Sequence, residues 1–288
     1  MKSFARYLGN DTQIKDISEN MCVDFLYNSR TEITQAWLLN YSVLLGFFQW
    51  TVARGYIDKI PLPKNKPQAP PNIIPYIYSD EEIKRIFDAA LIFAPERTKT
   101  DAITIRMILV LTYTLGLRIS EALAIRIKHL NFDENYVVIE ESKFYKTRLL
   151  PFNNQIGKEI VKYQQWKTNQ NYPQEENNHF FLDKLGMPVL LDTFQEYWRK
   201  ICAKADIYRN DGATYQPRIH DLRHTFAVNR VVQWYKNGDP VQDMLPFLST
   251  YLGHTYLQHT SIYLSMTDEL LQQANNSFSN YINDKNHE

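Results

Sequence analysis

The sequence has little cysteine, no long hydrophobic run and no excess charge of either sign. Its two cysteines, Cys22 and Cys202, lie far apart without metal-ligand spacing, so they give no disulfide framework and indicate a reducing compartment. Apolar runs are short or interrupted, as Arg106 interrupts residues 103–117, and the N-terminus lacks the apolar core of a secretory signal. We therefore expect a globular, cytoplasmic protein with no membrane partner.

The charge balance does not favour a nucleic-acid partner. Thirty-two Lys and Arg residues match thirty-two Asp and Glu residues, whereas proteins that contact many phosphates usually carry an excess of basic residues. Residues 1–70 contain eight basic and six acidic side chains, a bias too small to decide anything. The 44% hydrophobic content over 288 residues is enough for a sizeable core, and this length allows two domains.

Apolar periodicity and helix-boundary residues predict a mainly helical chain. Residues 32–54 carry apolar side chains at helical spacing and stop at Gly55, and residues 12–28 predict a shorter helix before them. Further helices are predicted after the capping box Ser79–Glu82, at 101–115, from a cap at Ser120, at 192–204 and from His220.

A small sheet and a proline-rich stretch complete the predicted organisation. Asn135–Glu141 and Thr147–Phe152 alternate as strands of a β-hairpin, and residues 179–190 suggest a third short strand. Six of the thirteen prolines fall in residues 61–80, which excludes a helix or a central strand there. The predicted fold class is mainly α with a small antiparallel β-sheet (α+β). We expect three parts: a helical module at 1–60, a Pro-rich linker at 61–78 and a main domain at 79–288. The alternative to the linker is an ordinary surface loop.

Polar residues suited to phosphate chemistry gather between residues 218 and 263. His220 and Arg223 are three residues apart, so on a helix they project from one face, one a proton acceptor near neutral pH and the other a permanent cation. His254 adds another hydrogen-bond donor. Tyr263 offers a phenol whose ordinary pKa of about 10 makes it a poor nucleophile until cations and a base are brought to it. Together these groups suit a phosphate and its proton.

A second arginine, Arg118, follows a predicted helix in the segment G-L-R-x-S-E. Arg118, His220 and Arg223 in H-x-L-R-H, His254 in L-G-H and Tyr263 nine residues later resemble the active-site set of the tyrosine recombinase (phage integrase) family. Order, spacing and flanking residues match across roughly residues 79–270. Taken alone, Arg118 would be assigned to a structural ion pair with Glu121.

The resemblance implies a site-specific DNA recombinase or integrase. Such an enzyme cleaves and rejoins DNA through a 3′-phosphotyrosine, without metal or nucleotide cofactor, during integration, excision or transposition of a mobile element. In this scheme Arg118, Arg223 and His254 hold the scissile phosphate. Tyr263 attacks it while His220 helps to remove the phenol proton. The groups implied to support these residues are Glu121, Asp221 and His224.

The resemblance also places a catalytic lysine in the hairpin, as proton donor to the departing 5′ oxygen. Aligning Lys146–Pro151 with the family's K-x-R-x-x-P segment puts that lysine at Lys143, and Lys146 is the fallback. Candidate DNA contacts elsewhere are Lys64, Lys66, Lys146 and Arg148.

Family resemblance further implies partners. The 1–60 module would be a short core-binding domain that grips double-stranded DNA, and the enzyme would act as a homotetramer. The stretches 234–238 and 244–250 resemble recombinases that occur in trios on bacterial mobile elements, which adds related recombinases as candidate partners. Residues 268–282 carry an apolar stripe and predict a C-terminal tail helix that packs on a neighbouring protomer.

Three alternatives remain open from the sequence. A type IB topoisomerase-like nicking-closing enzyme would use a similar active site, and a relative that only binds DNA would need no chemistry. A metal-dependent phosphoesterase could use as ligands His220, Asp221, His224, His254 and His259. Against it, Arg223 lies inside the motif and would repel a divalent ion.

Overall fold

The computed structural model divides the chain into two compact units, Met1–Ile73 and Ile74–Glu288. Each unit has its own cluster of buried apolar side chains. For residues 141, 142 and 146 only the backbone is described. The residues that the structure describes are 1–9, 11–27, 32–65, 67–68, 74–93, 98–142, 146–213, 215–254, 256, 258 and 260–267.

The first unit is helical. It contains α1 (Lys2–Leu8), a 3-10 turn (Ile14–Asp16), α2 (Glu19–Tyr27) and α3 (Gln35–Ala53). The helix predicted at 32–54 is confirmed as α3, whereas the helix predicted at 12–28 is present only as α2, after the separate 3-10 turn. The hydroxyl of Ser18 accepts a hydrogen bond from the Met21 N–H and starts α2 there, which separates it from the 3-10 turn.

The core of this unit includes Leu62, which belongs to the proline-rich stretch. Cys22 is a free, buried cysteine in the same core, in keeping with a packing residue. The assignment of residues 1–60 to DNA binding and of 61–78 to a linker stays a prediction.

The second unit is mainly helical. Its helices are α4 (Asp80–Ile92), α5 (Ala102–Thr114), α6 (Ile119–Ala124), α7 (Asn154–Asn169), α8 (Leu191–Lys204), α9 (Asp221–Asn237) and α10 (Val241–Leu252), and residues 260–267 are also helical. The capping box at Ser79 and Glu82 is confirmed, as is the buried character of α5. The cap predicted at Ser120 is wrong. The Glu121 carboxylate accepts the Arg118 N–H at 2.9 Å, so α6 starts one residue after Arg118.

A three-stranded antiparallel sheet accompanies these helices, in the order β1 (Leu130–Asn131), β2 (Tyr136–Ser142) and β3 (Lys146–Pro151). The predicted hairpin is confirmed as β2 and β3, and so is the fold class. The third strand predicted at 179–190 is wrong: these residues form only the isolated bridges Arg126–His179 and Leu182–Pro188, and the third strand of the sheet is β1, which pairs with β2. Within 179–190 the Asp183 carboxylate accepts two backbone N–H groups, which closes a turn rather than extending a strand.

Two features of the second unit position the site. Helix α5 packs against α4, α6 and α9 in the main core, and a smaller apolar cluster joins α9, α10 and Tyr263. The 260–267 segment is thereby held on α9 and α10. No helix in the described part of the chain is long and apolar enough to cross a membrane.

Candidate active site

Three arginines converge on one buried carboxylate, that of Glu121. Its Oε1 lies 2.7 Å from Arg118 Nη1, and its Oε2 lies 2.8 Å from Arg148 Nη2 and 3.8 Å from Arg223 Nη1. Burial alone would raise the pKa of Glu121, but the hydrogen bonds and charge of Arg148, with smaller contributions from Arg118 and Arg223, lower that pKa to about 2. Three cations around one anion leave two surplus positive charges, a setting suited to a bound anion.

Helix ends bring these arginines together. The chain turns at Gly116 with φ +59°, and a Cβ there would lie 2.4 Å from the Phe226 ring, so no larger residue fits. Arg223 donates from Nη1 to the Gly116 carbonyl at 2.9 Å and from Nη2 to the Leu252 carbonyl. Arg223 therefore ties the G-L-R segment to the L-G-H segment, although they lie far apart in sequence.

Arg223 is almost wholly buried, with 1% of its surface exposed. Burial, followed by the charge of Arg118, lowers its pKa to about 10. It is therefore still a cation at neutral pH. A planar guanidinium with fixed donors holds a phosphate in one orientation, which a lysine cannot do.

Two histidines lie against Tyr263, and a third packs on one of them. The Oη of Tyr263 lies 3.1 Å from Nδ1 of His224, and the His254 ring stacks at a centroid distance of 6.3 Å from the phenol ring. His220 packs edge-on against His224, with centroids 4.8 Å apart. Thr260 Oγ1 lies 2.8 Å from His254 Nδ1 and fixes the orientation of that ring.

The electrostatic setting favours neutral imidazoles. Burial, then the charges of Arg223 and Arg218, lower the pKa of His220 to about 4. Burial, then His220 and Arg218, lower the pKa of His224 to about 3. Tyr263 is 1% exposed, and burial raises its pKa even though Arg223 and Arg118 act in the opposite direction. At neutral pH the imidazoles of His220 and His224 are therefore neutral beside a protonated phenol.

The structure brings together five of the six predicted catalytic residues, namely Arg118, His220, Arg223, His254 and Tyr263. The sixth, Lys143, lies outside the described residues. Of the supporting residues, Asp221 accepts from the Arg218 backbone N–H at 2.8 Å and pairs with its guanidinium, which fixes the start of α9.

The candidate DNA contacts fall in different surroundings. Lys64 is exposed, Lys66 lies outside the described residues, and Lys146 is described only by its backbone, at the start of β3. Arg148 was expected to contact DNA, but its side chain is only 8% exposed. Its Nε donates to the Tyr251 carbonyl and its guanidinium holds Glu121, so the structure gives it a supporting position.

Two contacts were missing from the sequence analysis, those of Arg148 with Glu121 and of His224 with Tyr263. The sequence indicates only the face of its element on which each of Arg148 and His224 lies. Arg148 and the buried Leu150 are two residues apart on β3 and so share the inward face, and His224 follows His220 by one helical turn. No group of three or more His, Cys, Asp or Glu side chains lies close enough to hold a metal ion within the described ranges, which do not include His259.

Comparison with known proteins gives one family match and a set of relatives. Residues 78–269, two thirds of the chain, match the model of the phage integrase family. The chain is 28% identical to y4rB of Sinorhizobium fredii, which is named an integrase/recombinase, over 83% of this chain and 76% of that protein. It is 25% identical to the tyrosine recombinase XerA of Pyrococcus horikoshii, over 80% of this chain and 69% of that protein.

Solved structures share the fold. A lambda integrase tetramer bound to a Holliday junction superposes with a TM-score of 0.63 at 17% identity, over 91% of this chain and 68% of that chain. At this identity the likeness concerns the fold alone.

Proposed function

The chain belongs to the phage integrase family, and on this premise we propose that it is a site-specific recombinase that cleaves and rejoins DNA through a 3′-phosphotyrosine intermediate. One observation carries the proposal. A cluster of arginines with surplus positive charge stands next to a buried tyrosine whose hydroxyl oxygen meets an imidazole at 3.1 Å. The family match indicates DNA as the substrate, and the arginine cluster is suited to bind its phosphate.

Arg118, Arg223 and His254 hold the scissile phosphate in this proposal. Charge-assisted hydrogen bonds from two guanidinium groups are short and directional, and they strengthen as negative charge develops on the phosphate oxygens. The Glu121 carboxylate keeps Arg118 and Arg223 oriented before DNA arrives. Because these donors are fixed in the free protein, little reorganisation is needed when the transition state forms.

Tyr263 is the nucleophile. Its oxygen attacks the phosphorus, the bond to the 5′ oxygen breaks, and Lys143 protonates the departing oxygen. The phosphotyrosine keeps the energy of the broken bond for rejoining, so neither nucleotide nor metal is needed. The family resemblance implies that His220 removes the phenol proton. His220 packs against His224, however, and it is His224 whose ring nitrogen lies beside the phenol oxygen.

The natural partners in this proposal are double-stranded DNA sites and further copies of the chain. The lambda integrase neighbours are a dimer bound to a core site and a tetramer bound to a Holliday junction. We extend this by proposing a homotetramer on DNA, joined by related recombinases, that moves a mobile element in the cytoplasm. Residues 1–60 would add the grip on DNA, with Lys64 and Lys66 of the linker along its backbone.

A nicked suicide substrate tests this function. The nick lies just beyond the scissile phosphate, so the released fragment diffuses away and the covalent adduct accumulates. We expect the protein to form an adduct, seen as a shifted band on a denaturing gel, with DNA from the ends of the element that carries its gene and in the presence of EDTA. Cleavage that needs a divalent metal and leaves free DNA ends would contradict the proposal and favour the phosphoesterase.

A further inference from the structure

His224 occupies the position of a proton acceptor for Tyr263. Its Nδ1 lies 3.1 Å from the phenol oxygen, and the two ring centroids are 5.7 Å apart. Both partners are held in place. His224 lies in the first turns of α9, and Tyr263 is fixed by the α9–α10 cluster and by Thr267 Oγ1, which donates to the Tyr263 carbonyl at 2.7 Å. The contact therefore joins two well-supported elements.

We propose that His224, rather than His220, accepts the Tyr263 proton during DNA cleavage and returns it during rejoining. This inference rests on the proposed function and adds a catalytic residue to it. His220, packed edge-on against His224, then acts as a positioning residue for that ring.

The proton moves from Tyr263 Oη to His224 Nδ1, and the freed electron pair of the oxygen forms the bond to phosphorus. The bond from phosphorus to the 5′ oxygen breaks, and that oxygen takes its own proton from the general acid, Lys143 in the proposed function. In the reverse direction Nδ1 gives the proton back to Oη as the phosphotyrosine is resolved. His224 must carry its hydrogen on Nε2 for Nδ1 to accept.

The surroundings of His224 are compatible with this transfer. The ionisable groups that face it are His220, Arg218, Arg223, His254 and Tyr263. Burial, followed by His220 and the other cationic or imidazole neighbours, lowers its pKa to about 3, so Nδ1 is available as an acceptor throughout the neutral range. A weak base suffices, because the phenol proton becomes far more acidic as the oxygen bonds to phosphorus. The bound phosphate offsets the nearby arginine charges and stabilises the imidazolium.

Two substitutions separate proton transfer from positioning. In His224→Asn the amide oxygen can still accept a hydrogen bond from the phenol but cannot take its proton, and His224→Ala leaves room for added imidazole. In single-turnover adduct formation on the suicide substrate, we expect both variants to be about 100-fold slower or worse, with DNA binding unchanged. We also expect added imidazole to restore adduct formation by the His224→Ala variant. As a control, His179→Asn replaces a histidine at the isolated bridge to Arg126 and should cleave normally.

The pH dependence of the rate of adduct formation distinguishes proton transfer from a structural role, because the loss of a purely structural residue would not change it. Because the pKa of His224 is lowered to about 3, its acceptor form is already complete at neutral pH, so the wild-type rate should be level across that range. Without the base, attack depends on the phenolate, and the rate of His224→Asn should rise about tenfold per pH unit. A His224→Asn variant within about threefold of wild type, with a level profile, would overturn the inference.

The outcomes separate this inference from the function on which it rests. If the wild type forms no adduct, the proposed function fails, whereas an adduct formed equally by wild type and His224→Asn overturns only the role of His224. If the variants do not fold, nitrogen NMR of the wild type decides. A His224 that carries its proton on Nε2 supports the inference, and one protonated on Nδ1 overturns it.

Discussion

Among individual residues, Glu121 and its three arginines control the site. The carboxylate is buried and ionised, so it depends on Arg148 and Arg118 for compensation, and they depend on it for orientation. The guanidinium of Arg148 donates its hydrogen bonds to Glu121 and to the Tyr251 carbonyl. Arg118 is the more exposed partner, with 23% of its side chain accessible, and is therefore the better placed to meet a phosphate.

Arg118→Lys tests the geometry of this contact. A lysine keeps the charge but loses the planar fork that reaches Glu121 at 2.7 Å and the Gly253 carbonyl at 3.3 Å. We expect DNA binding within about threefold of wild type and adduct formation slower by about 100-fold, close to the loss of one transition-state donor. The matched control is Arg85→Lys, which replaces an exposed arginine on α4. Near-normal cleavage by Arg118→Lys would make Arg118 structural.

Motif spacing was sufficient to predict the site residues. The sequence could not show which of them contact one another in the folded chain. His220 and Arg223 are close because one helix carries both, so local periodicity was sufficient. The pairing of Arg148 with Glu121 joins residues 27 positions apart on a strand and a helix, and only the packing of β3 near α6 and α10 determines it. The contact between His224 and Tyr263 depends in the same way on how α9 meets the 260–267 segment.

At the scale of elements, the ends of α9 and α10 matter most. Both helices end in a glycine with left-handed backbone, Gly238 with φ +75° and Gly253 with φ +66°. Their surroundings differ. A Cβ at Gly238 would meet nothing within 4 Å, whereas a Cβ at Gly253 would lie 2.9 Å from Nη1 of Arg148. The second glycine therefore keeps room for the arginine that holds Glu121.

This difference predicts unequal effects of the same substitution. Gly238→Ala should lower the free energy of unfolding by about 1 to 2 kcal/mol, the cost of a left-handed backbone for alanine, and leave adduct formation unchanged. Gly253→Ala should lose more stability and also slow adduct formation, because Arg148 must move away from Glu121. Thermal unfolding and single-turnover cleavage of both variants measure the effects. If both variants lost the same stability and the same rate of adduct formation, Arg148 would be able to move away from Glu121 without affecting either property.

Elements with a strong local pattern were predictable, and short ones were not. The hairpin followed from alternation and α4 from its capping box, since both signals lie within a few residues. Strand β1 has only two residues, Leu130 and Asn131, and exists because β2 offers an edge to pair with. The cap at Ser120 failed because α6 begins one residue before it, with Arg118 at the N-cap and the Glu121 carboxylate accepting the Arg118 N–H.

For the whole molecule, net charge is a poor guide to DNA binding. The chain is formally neutral, yet three arginines surround a single carboxylate at the site. A local excess of positive charge can attract a phosphate even when the total is zero, because charges farther away than about 8 Å are largely screened at physiological salt. We therefore expect adduct formation to depend on the cluster more than on overall charge.

The C-terminal tail provides a prediction about assembly. Residues 268–282 lie outside the described residues and carry the predicted apolar stripe, and burying a few hundred Å² of it would contribute several kcal/mol at roughly 25 cal/mol per Å². We expect a chain that ends after Thr267 to cleave single sites but to lose synapsis and strand exchange between two sites. The measurement compares adduct and recombinant products from one preparation. A truncated protein that still recombines, or that unfolds, would indicate a tail packed within its own chain and favour the topoisomerase-like alternative.

Whether Tyr263 is the residue that becomes joined to DNA decides the identity of the nucleophile. Tyr263→Phe removes only the phenol oxygen, while Tyr256→Phe makes the same change at an exposed tyrosine seven residues earlier. On the suicide substrate, we predict that Tyr263→Phe binds DNA and forms no covalent adduct, whereas Tyr256→Phe matches the wild type. An adduct that survives Tyr263→Phe, or that disappears with Tyr256→Phe, would contradict the assignment of the nucleophile.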